Sequence, residues 1–459
     1  MSKTSFAETY FNENKATILE EWYNLLRLPT LGADQNHLGD CARAAAILKK
    51  SLKALDFTVE IITPMTGLPV PVLIAERSAT GAATTVLFYG HYDVQPADPA
   101  EAWSTPPFEP TLIDGRVYAR GAQDNKGQMI AFLQGIKALI ETGRPLPNIK
   151  IVIEGQEESS SSGLMELAHT VAKKLRADVL LVSDTSCAAD GRPAIIASLR
   201  GIQNLTVTLK GSDYDLHSGV HGGVAPNPAL GMAKLLATLH HENGRIAVDG
   251  FSDEVTLPSK EEIELALSSQ QSEKEYQEEI GCLPLGGERA LDSALRAGFH
   301  PTIEVNGLFS GHCGHGTKTV IPSIATAKLS MRLVPDQNTE RTLAALKNHL
   351  EAHCPPGFQI SFSEIVIGAP GFRLSVNSPI FKLAEDVLLE MDDRPPVFRW
   401  EGASIPVVAT LQKVSGAAPL LVGFGREEDK IHCPNESFGL DQFVQVMEWS
   451  TLILEALAF

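Results

Sequence analysis

The chain is short of basic side chains, of cysteine and of long apolar runs, and each shortage closes off a class of function. It carries 38 Lys and Arg against 56 Asp and Glu, a formal net charge of −18 at pH 7. That balance argues against a nucleic acid or an anionic membrane surface as partner. The six cysteines, Cys41, Cys187, Cys282, Cys313, Cys354 and Cys433, are scattered without any C-x-x-C pair. This argues against a disulfide framework or a structural zinc knuckle and for reduced thiols. No apolar run reaches the length of a bilayer span, and Met1 to Tyr10 lacks the basic-then-apolar pattern of a signal peptide, so a cytoplasmic location is expected. Internal repeats and low-complexity tracts are missing too. What remains is the composition of a globular chain, 44% hydrophobic and 20% charged. Its 459 residues exceed what one hydrophobic core usually organises, so two domains are expected.

Residues 15 to 28 set Ile18, Trp22, Leu25 and Leu26 at helical spacing and stop at Pro29; residues 41 to 55 repeat the pattern with Ala44, Ile47, Leu48 and Leu55. Strand-like runs follow at 57–62, 70–75 and 86–89. The run at 86–89 leads into G-H-Y-D-V-Q-P, where a period of two puts His91 and Asp93 on one side as the strand ends. After a polar loop, R-G-A-Q-D-N-K-G delivers Asp124 into a helix with Met129, Phe132, Leu133, Ile136 and Ile140 on its apolar positions. A strand at 149–153 ends in E-G-Q-E-E, and one at 179–182 ends at Asp184. Three successive strands thus finish in acids or a histidine, and in open α/β sheets the functional crevice lies beyond the carboxyl ends of the strands. From Gly201 the texture changes to alternating apolar and polar residues, with the order β-α-β-β-α-β through residue 367, which predicts a ferredoxin-like α+β layer. The acidic segment 252–296 reads as a partly helical insertion. From Asn377 the pattern is α/β again. The expected organisation is an α/β catalytic domain with a mostly parallel sheet, in two parts (1–199 and 372–459), interrupted by a lid or dimerisation domain at 200–371.

The candidates for metal ligation are His91, Asp124, Glu158, Asp184 and His432, the last in D-K-I-H-C-P-N-E. Carboxylate and imidazole without thiolate suit zinc, manganese or cobalt. The set is too large for one tetrahedral site, which points to two divalent ions sharing a bridging acid, the arrangement hydrolases use to polarise a carbonyl and activate water. Each like-charged carboxylate pair at 4 Å costs roughly 1 kcal/mol in water and roughly 4 at an effective dielectric of 20. Converging acids of this number therefore require cations or protons. Asp93 is placed to orient His91. Glu157 and Glu158 are adjacent, so one can bind metal while the other acts as general base and then proton donor. His221, His312 and His315 lie in glycine-rich loops and receive no role.

The segments G-H-Y-D-V-Q-P, A-R-G-A-Q-D-N-K-G, E-G-Q-E-E, V-S-D, D-L-H-S-G, K-T-V-I-P with R-L-V-P, and E-G-A-S-I-P occur in order between Gly90 and Pro406, within a resemblance that runs from about residue 15 to the end. Together they resemble the co-catalytic dinuclear metallopeptidases that include cytosolic non-specific dipeptidase, carnosinase, acetylornithine deacetylase and carboxypeptidase G, with H-Y-D-V-Q-P and D-L-H-S-G leaning toward the dipeptidase branch. The resemblance implies that His91, Asp124, Glu158, Asp184 and His432 hold two metal ions, with Asp124 bridging, and that Glu157 is the general base with Asp93 behind His91. It implies a cis peptide at Asp124–Asn125. It assigns His217 to the tetrahedral oxyanion, reaching in from the partner of a homodimer formed by the inserted domain, and Arg332, Thr319 and Ser404 to substrate binding, Arg332 clamping a carboxylate. Gln123 and Gln156 stand where relatives vary, which blurs the subfamily more than the chemistry. The implied activity is hydrolysis of dipeptides or short peptides with a free carboxyl end, zinc being the expected metal and manganese or cobalt the alternatives. An N-acyl-amino-acid deacylase or a carboxypeptidase on the same scaffold is the nearest rival. A non-catalytic metal-binding protein is a remoter one, since neither Glu157 nor any ligand is missing.

Overall fold

Strand propensity and burial coincide at Thr85–His91, whose residues Val86 to His91 are all buried. In the computed structural model, which describes residues 4–188, 190–269, 272–368 and 370–459, this strand sits at the centre of the main sheet. Asn148–Glu154 and Val179–Val182 flank it in parallel, and Ala418–Gly423 runs parallel to Val179–Val182. Antiparallel strands extend both flanks, Val72–Arg77 and Thr58–Ile62 on one side and Ala194–Leu199 on the other. The inner runs of these strands, residues 86–89, 151–153 and 179–182, are apolar and buried, as strands covered on both faces are.

Helix Lys126–Glu141 lies against the sheet through Phe132, whose ring stacks on Phe88 at 4.1 Å. Helices Phe6–Leu26 and Leu440–Ala456 pack on it and on each other, with Trp22 tilted against Phe443 at 4.9 Å and edge-on to Phe438 at 6.2 Å. The first helix begins well before residue 15, since Ser5 accepts a hydrogen bond from the Glu8 amide (3.2 Å) and caps it.

Contacts divide the chain into two units. The first comprises Met1–Ala197, Leu374–Phe398 and Val407–Phe459, and the second Ser198–Arg373 with Arg399–Pro406. In the second, strands Thr302–Ser310, Ile324–Leu333, Gly201–Lys210 and Gln359–Ile367 lie side by side in that order, all antiparallel. With helices Pro228–Ala237 and Thr339–Ala352 between strands in the chain, this is the ferredoxin-like order. Its core interleaves Leu205, Val207, Leu209, Ala327, Leu329 and Met331 with Met232, Leu235, Leu346 and Leu350. The inserted segment contributes helices Lys260–Ser269, Glu273–Ile280 and Ser293–Phe299. No helix among the described residues is long and apolar enough to cross a membrane.

Candidate metal centre

Parallel pairing brings three strand ends to one edge of the sheet. His91 is level with Glu154, and Tyr89 with Val182, so Asp184, two residues past one neighbour, and the turn Glu157–Ser159, just past the other, open beside His91. Asp124 arrives from the tight turn before helix Lys126–Glu141, through a cis peptide to Asn125. Gly127 permits that turn: a Cβ there would fall 1.8 Å from the Ala122 carbonyl oxygen. His432 comes from the strap between Ala418–Gly423 and Ser437–Gly439, with a φ of 60°.

The five side chains form two groups that share Asp124. His91 Nε2 stands 3.3 Å from Asp124 Oδ1 and 3.5 Å from Asp184 Oδ2. On the other side, His432 Nε2 lies 2.9 Å from Asp124 Oδ2 and 3.3 Å from Glu158 Oε2. Asp124 thus offers one carboxylate oxygen to each group, and in both groups the ligand atoms lie within 4.8 Å of one another. The donor set fits divalent cations on a second count as well. His91 Nε2 and Glu158 Oε1 are buried and make no hydrogen bond, an arrangement costly for polar atoms unless something else satisfies them.

Charge tells the same story. Burial works against a charged His91, but Asp184, Asp124 and Asp93 hold its pKa well above the ordinary histidine value. Hydrogen bonds to Asp124 and Glu158 lift His432 to about 10. Burial would raise Asp124, yet His432 and His91 hold it below the usual carboxylate range. Burial pushes Asp184 to about 6, and it pushes Glu157 to about 9 with Asp184, Asp124 and Glu158 reinforcing it against His91. Without cations these surroundings therefore favour the protonated forms of both histidines and of Glu157.

Asp93, fully buried, ties the centre together. Its backbone carbonyl oxygen is the hydrogen-bond partner of His91 Nδ1 (3.2 Å); its Oδ1 lies 3.3 Å from the same nitrogen and accepts from the Glu157 amide (3.2 Å), while Oδ2 accepts from the Glu158 amide (3.1 Å). Asp93 thereby meets His91 through its carbonyl and carboxylate oxygens, and its carboxylate anchors the turn bearing both glutamates.

A family model for peptidase family M20/M25/M40 matches residues 87–456. The chain belongs to this family. Human Beta-Ala-His dipeptidase is 30% identical over 387 residues, 83% of this chain and 76% of the relative. The Cys-Gly metallodipeptidase dug1 of Schizosaccharomyces pombe is 30% identical over 388 residues, 82% of this chain and 80% of the relative. Among solved structures, the M20 metallo-carboxypeptidase Sso-CP2 from Sulfolobus solfataricus superposes with a TM-score of 0.85 at 28% identity, covering 96% of this chain and 99% of that one. M20 metallopeptidases are dinuclear metal enzymes, and the two groups joined at Asp124 are the candidate ligands for such a pair in this one.

The remaining candidates of this M20 chain fall in its second unit. His217 ends strand Leu216–His217, paired with Val320, and its Nδ1 accepts from the Gly219 amide (3.0 Å). The Thr319 carbonyl accepts from the Ser218 amide (3.1 Å), so His217 and Thr319 sit on adjoining segments. Arg332 Nη1 donates to Ser404 Oγ (2.8 Å). Arg200 fixes the same loop, through its amide to the Ala403 carbonyl (3.0 Å) and Nε to the Gly402 carbonyl (3.0 Å). His312 Nε2 lies 3.3 Å from the His315 carbonyl oxygen in an exposed loop.

Sequence reasoning passed over several residues at the centre. Gln95 donates to Glu158 Oε2 (2.8 Å), and Asn125 Nδ2 donates to both the Ser183 carbonyl and Asp184 Oδ1 (2.7 Å each). Both lie inside the quoted motifs, and that proximity was their one signal. Lys126, fully buried, donates to the Leu25 and Leu28 carbonyls (2.9 and 2.8 Å), a role no local pattern announces.

Proposed function

We propose that this M20 peptidase hydrolyses the peptide bond of dipeptides or short peptides with a free carboxyl end, in the cytoplasm and as a homodimer. The observation that carries the reading is Asp124 presenting one oxygen to each of two ligand groups with the Glu157 turn anchored beside them. His91 and Asp184 would hold one divalent ion and Glu158 and His432 the other, zinc being the expected metal and manganese or cobalt the alternatives that the mixed imidazole and carboxylate set also suits. Two cations so held would polarise the scissile carbonyl, make water nucleophilic near neutral pH and draw Glu157 into its charged form.

Glu157 then accepts the proton of the attacking water and passes it to the leaving amine. Asp93 keeps His91 and the glutamate turn in place. Arg332, steadied by Ser404, would fork onto the substrate carboxylate, and Thr319 would take part in substrate binding. His217 of the partner subunit donates to the tetrahedral oxyanion. The dimer is supported by exposed Val305, Leu308 and Phe309 on the edge strand Thr302–Ser310. Six free thiols suit a reducing compartment.

The relatives named for Beta-Ala-His and Cys-Gly support a dipeptide substrate, while the likeness to a carboxypeptidase keeps longer peptides as the second reading, beside the deacylase that the scaffold would also admit. Metal-reconstituted protein assayed against dipeptides, acetylated amino acids and longer peptides decides between them. Highest kcat/KM on substrates with a free amino end is expected; preference for acetylated amino acids would make it a deacylase.

A further inference from the structure

Glu436 is nearly inaccessible, its side chain 1% exposed, and lies four residues beyond His432. Its carboxylate accepts four hydrogen bonds from the segment that delivers Asp124. Oε2 takes the Arg120 Nη1 and the Gly121 amide (2.8 Å each), and Oε1 takes the Gln123 and Asp124 amides (3.0 and 3.1 Å). The Glu436 carbonyl also accepts from the Ala119 amide (3.1 Å).

The strap bearing His432 is closed at its other end by Asp429, fully buried, which accepts from the Arg426 amide (2.6 Å) and Gln442 Nε2 (2.9 Å). Between these anchors the strap bulges outward: Lys430, His432 and Asn435 adopt positive φ, and the His432 side chain is 49% exposed. His432 is therefore placed by the strap's ends. Since His432 Nε2 reaches Asp124 Oδ2 at 2.9 Å while Glu436 holds the Asp124 amide, a ring closes through side chain, strap, carboxylate and backbone.

We infer that Glu436 is the positioning residue that sets the spacing of Asp124 and His432, and with it the shape of the second cation site. The inference rests on the two-cation reading above. An isolated buried ion pair with Arg120 would call for one good contact; a carboxylate whose two oxygens are divided among the Gly121, Gln123 and Asp124 amides of one turn and a guanidinium fixes orientation as well.

The test is cobalt(II) titration of Glu436→Gln and the parent, followed by calorimetry and visible absorption, with folding checked by circular dichroism. The parent should take two equivalents. In Glu436→Gln the first should bind as in the parent, while the second weakens roughly 10- to 100-fold with a changed absorption band, as loss of a partner that orients ligands does. A similar fall in kcat with little change in KM is expected. If leaving Arg120 unpaired unfolds the variant, Arg120→Met with Glu436→Gln is measured instead, with the same result expected. Unchanged second-equivalent affinity and absorption in a folded variant overturns the inference alone. No cobalt uptake by the parent overturns the two-cation reading and the inference together, and failure of both variants to fold overturns it by making Glu436 a residue of folding.

Discussion

Glu157 and Glu158 are chemically identical neighbours whose surroundings divide their labour. Glu158 has one oxygen beside His432 and the Gln95 amide and another with no hydrogen bond, whereas Glu157 is raised to about 9 by burial first and by neighbouring carboxylates after. Glu157→Gln is expected to retain both cations by elemental analysis while kcat drops by roughly 10²- to 10⁴-fold, the usual weight of a general acid–base group. Retained turnover would remove it as the base.

The histidines carry a second prediction. With His91 raised well above its ordinary value and His432 at about 10, the metal-free centre holds protons that a cation must displace. Affinity for zinc or cobalt should therefore rise with pH between about 6 and 8, with proton release on binding; calorimetry in buffers of different ionisation enthalpy reads it. The sign in the metal-free fold is opposite. A raised histidine value stabilises below the unfolded value and that contribution is lost as pH rises through about 10, so metal removal should shift the pH of greatest thermal stability downward.

At the scale of elements, strand Thr85–His91 and helix Lys126–Glu141 act as one block joined by the Phe88–Phe132 stack. The turn between Ala122 and Gly127 has no slack, because a Cβ on Gly127 meets the Ala122 oxygen at 1.8 Å and the Phe438 ring at 2.9 Å. Gly127→Ala should cost about 1 to 3 kcal/mol by overpacking and, by moving the turn, weaken cation binding. Phe132→Ala should cost more stability, about 3 to 5 kcal/mol, with less effect on the metals. Chemical denaturation alongside metal titration separates the two; equal metal affinity in Gly127→Ala and the parent would show that the turn tolerates the shift.

Long elements were legible here because their apolar residues repeat over several turns or pleats, as in Ile324–Leu333. The strands Thr111–Ile113, Arg116–Tyr118 and Ser437–Gly439 were not, since three residues carry no period. Yet the pairing of Ser437–Gly439 with Arg116–Tyr118 leads Glu436 toward the Asp124 turn.

For the whole molecule, the division into two units sets where the candidates fall: the ligands and Glu157 in one, His217, Thr319, Arg332 and Ser404 in the other. If His217 serves the partner's centre, mixing Glu157→Gln with His217→Ala protein should restore activity that neither has alone. About a quarter of the sites become intact, because half the dimers are mixed and each of those has one complete site. Absence of rescue under conditions of subunit exchange would confine the centre to one chain.

The amino-acid sequence by itself determined the alternation of strands and helices, the change of texture at Gly201 and the identity of the five ligand candidates, because spacing and chemical type are local properties. Tertiary structure alone decided that Asp124 stands between two groups, that Asp93 grips both His91 and the glutamate turn, and that Glu436 clasps residues 120 to 124. Those depend on segments some 30 to 300 residues apart meeting at a sheet edge, and a hydrogen bond between remote segments leaves no periodic trace in either.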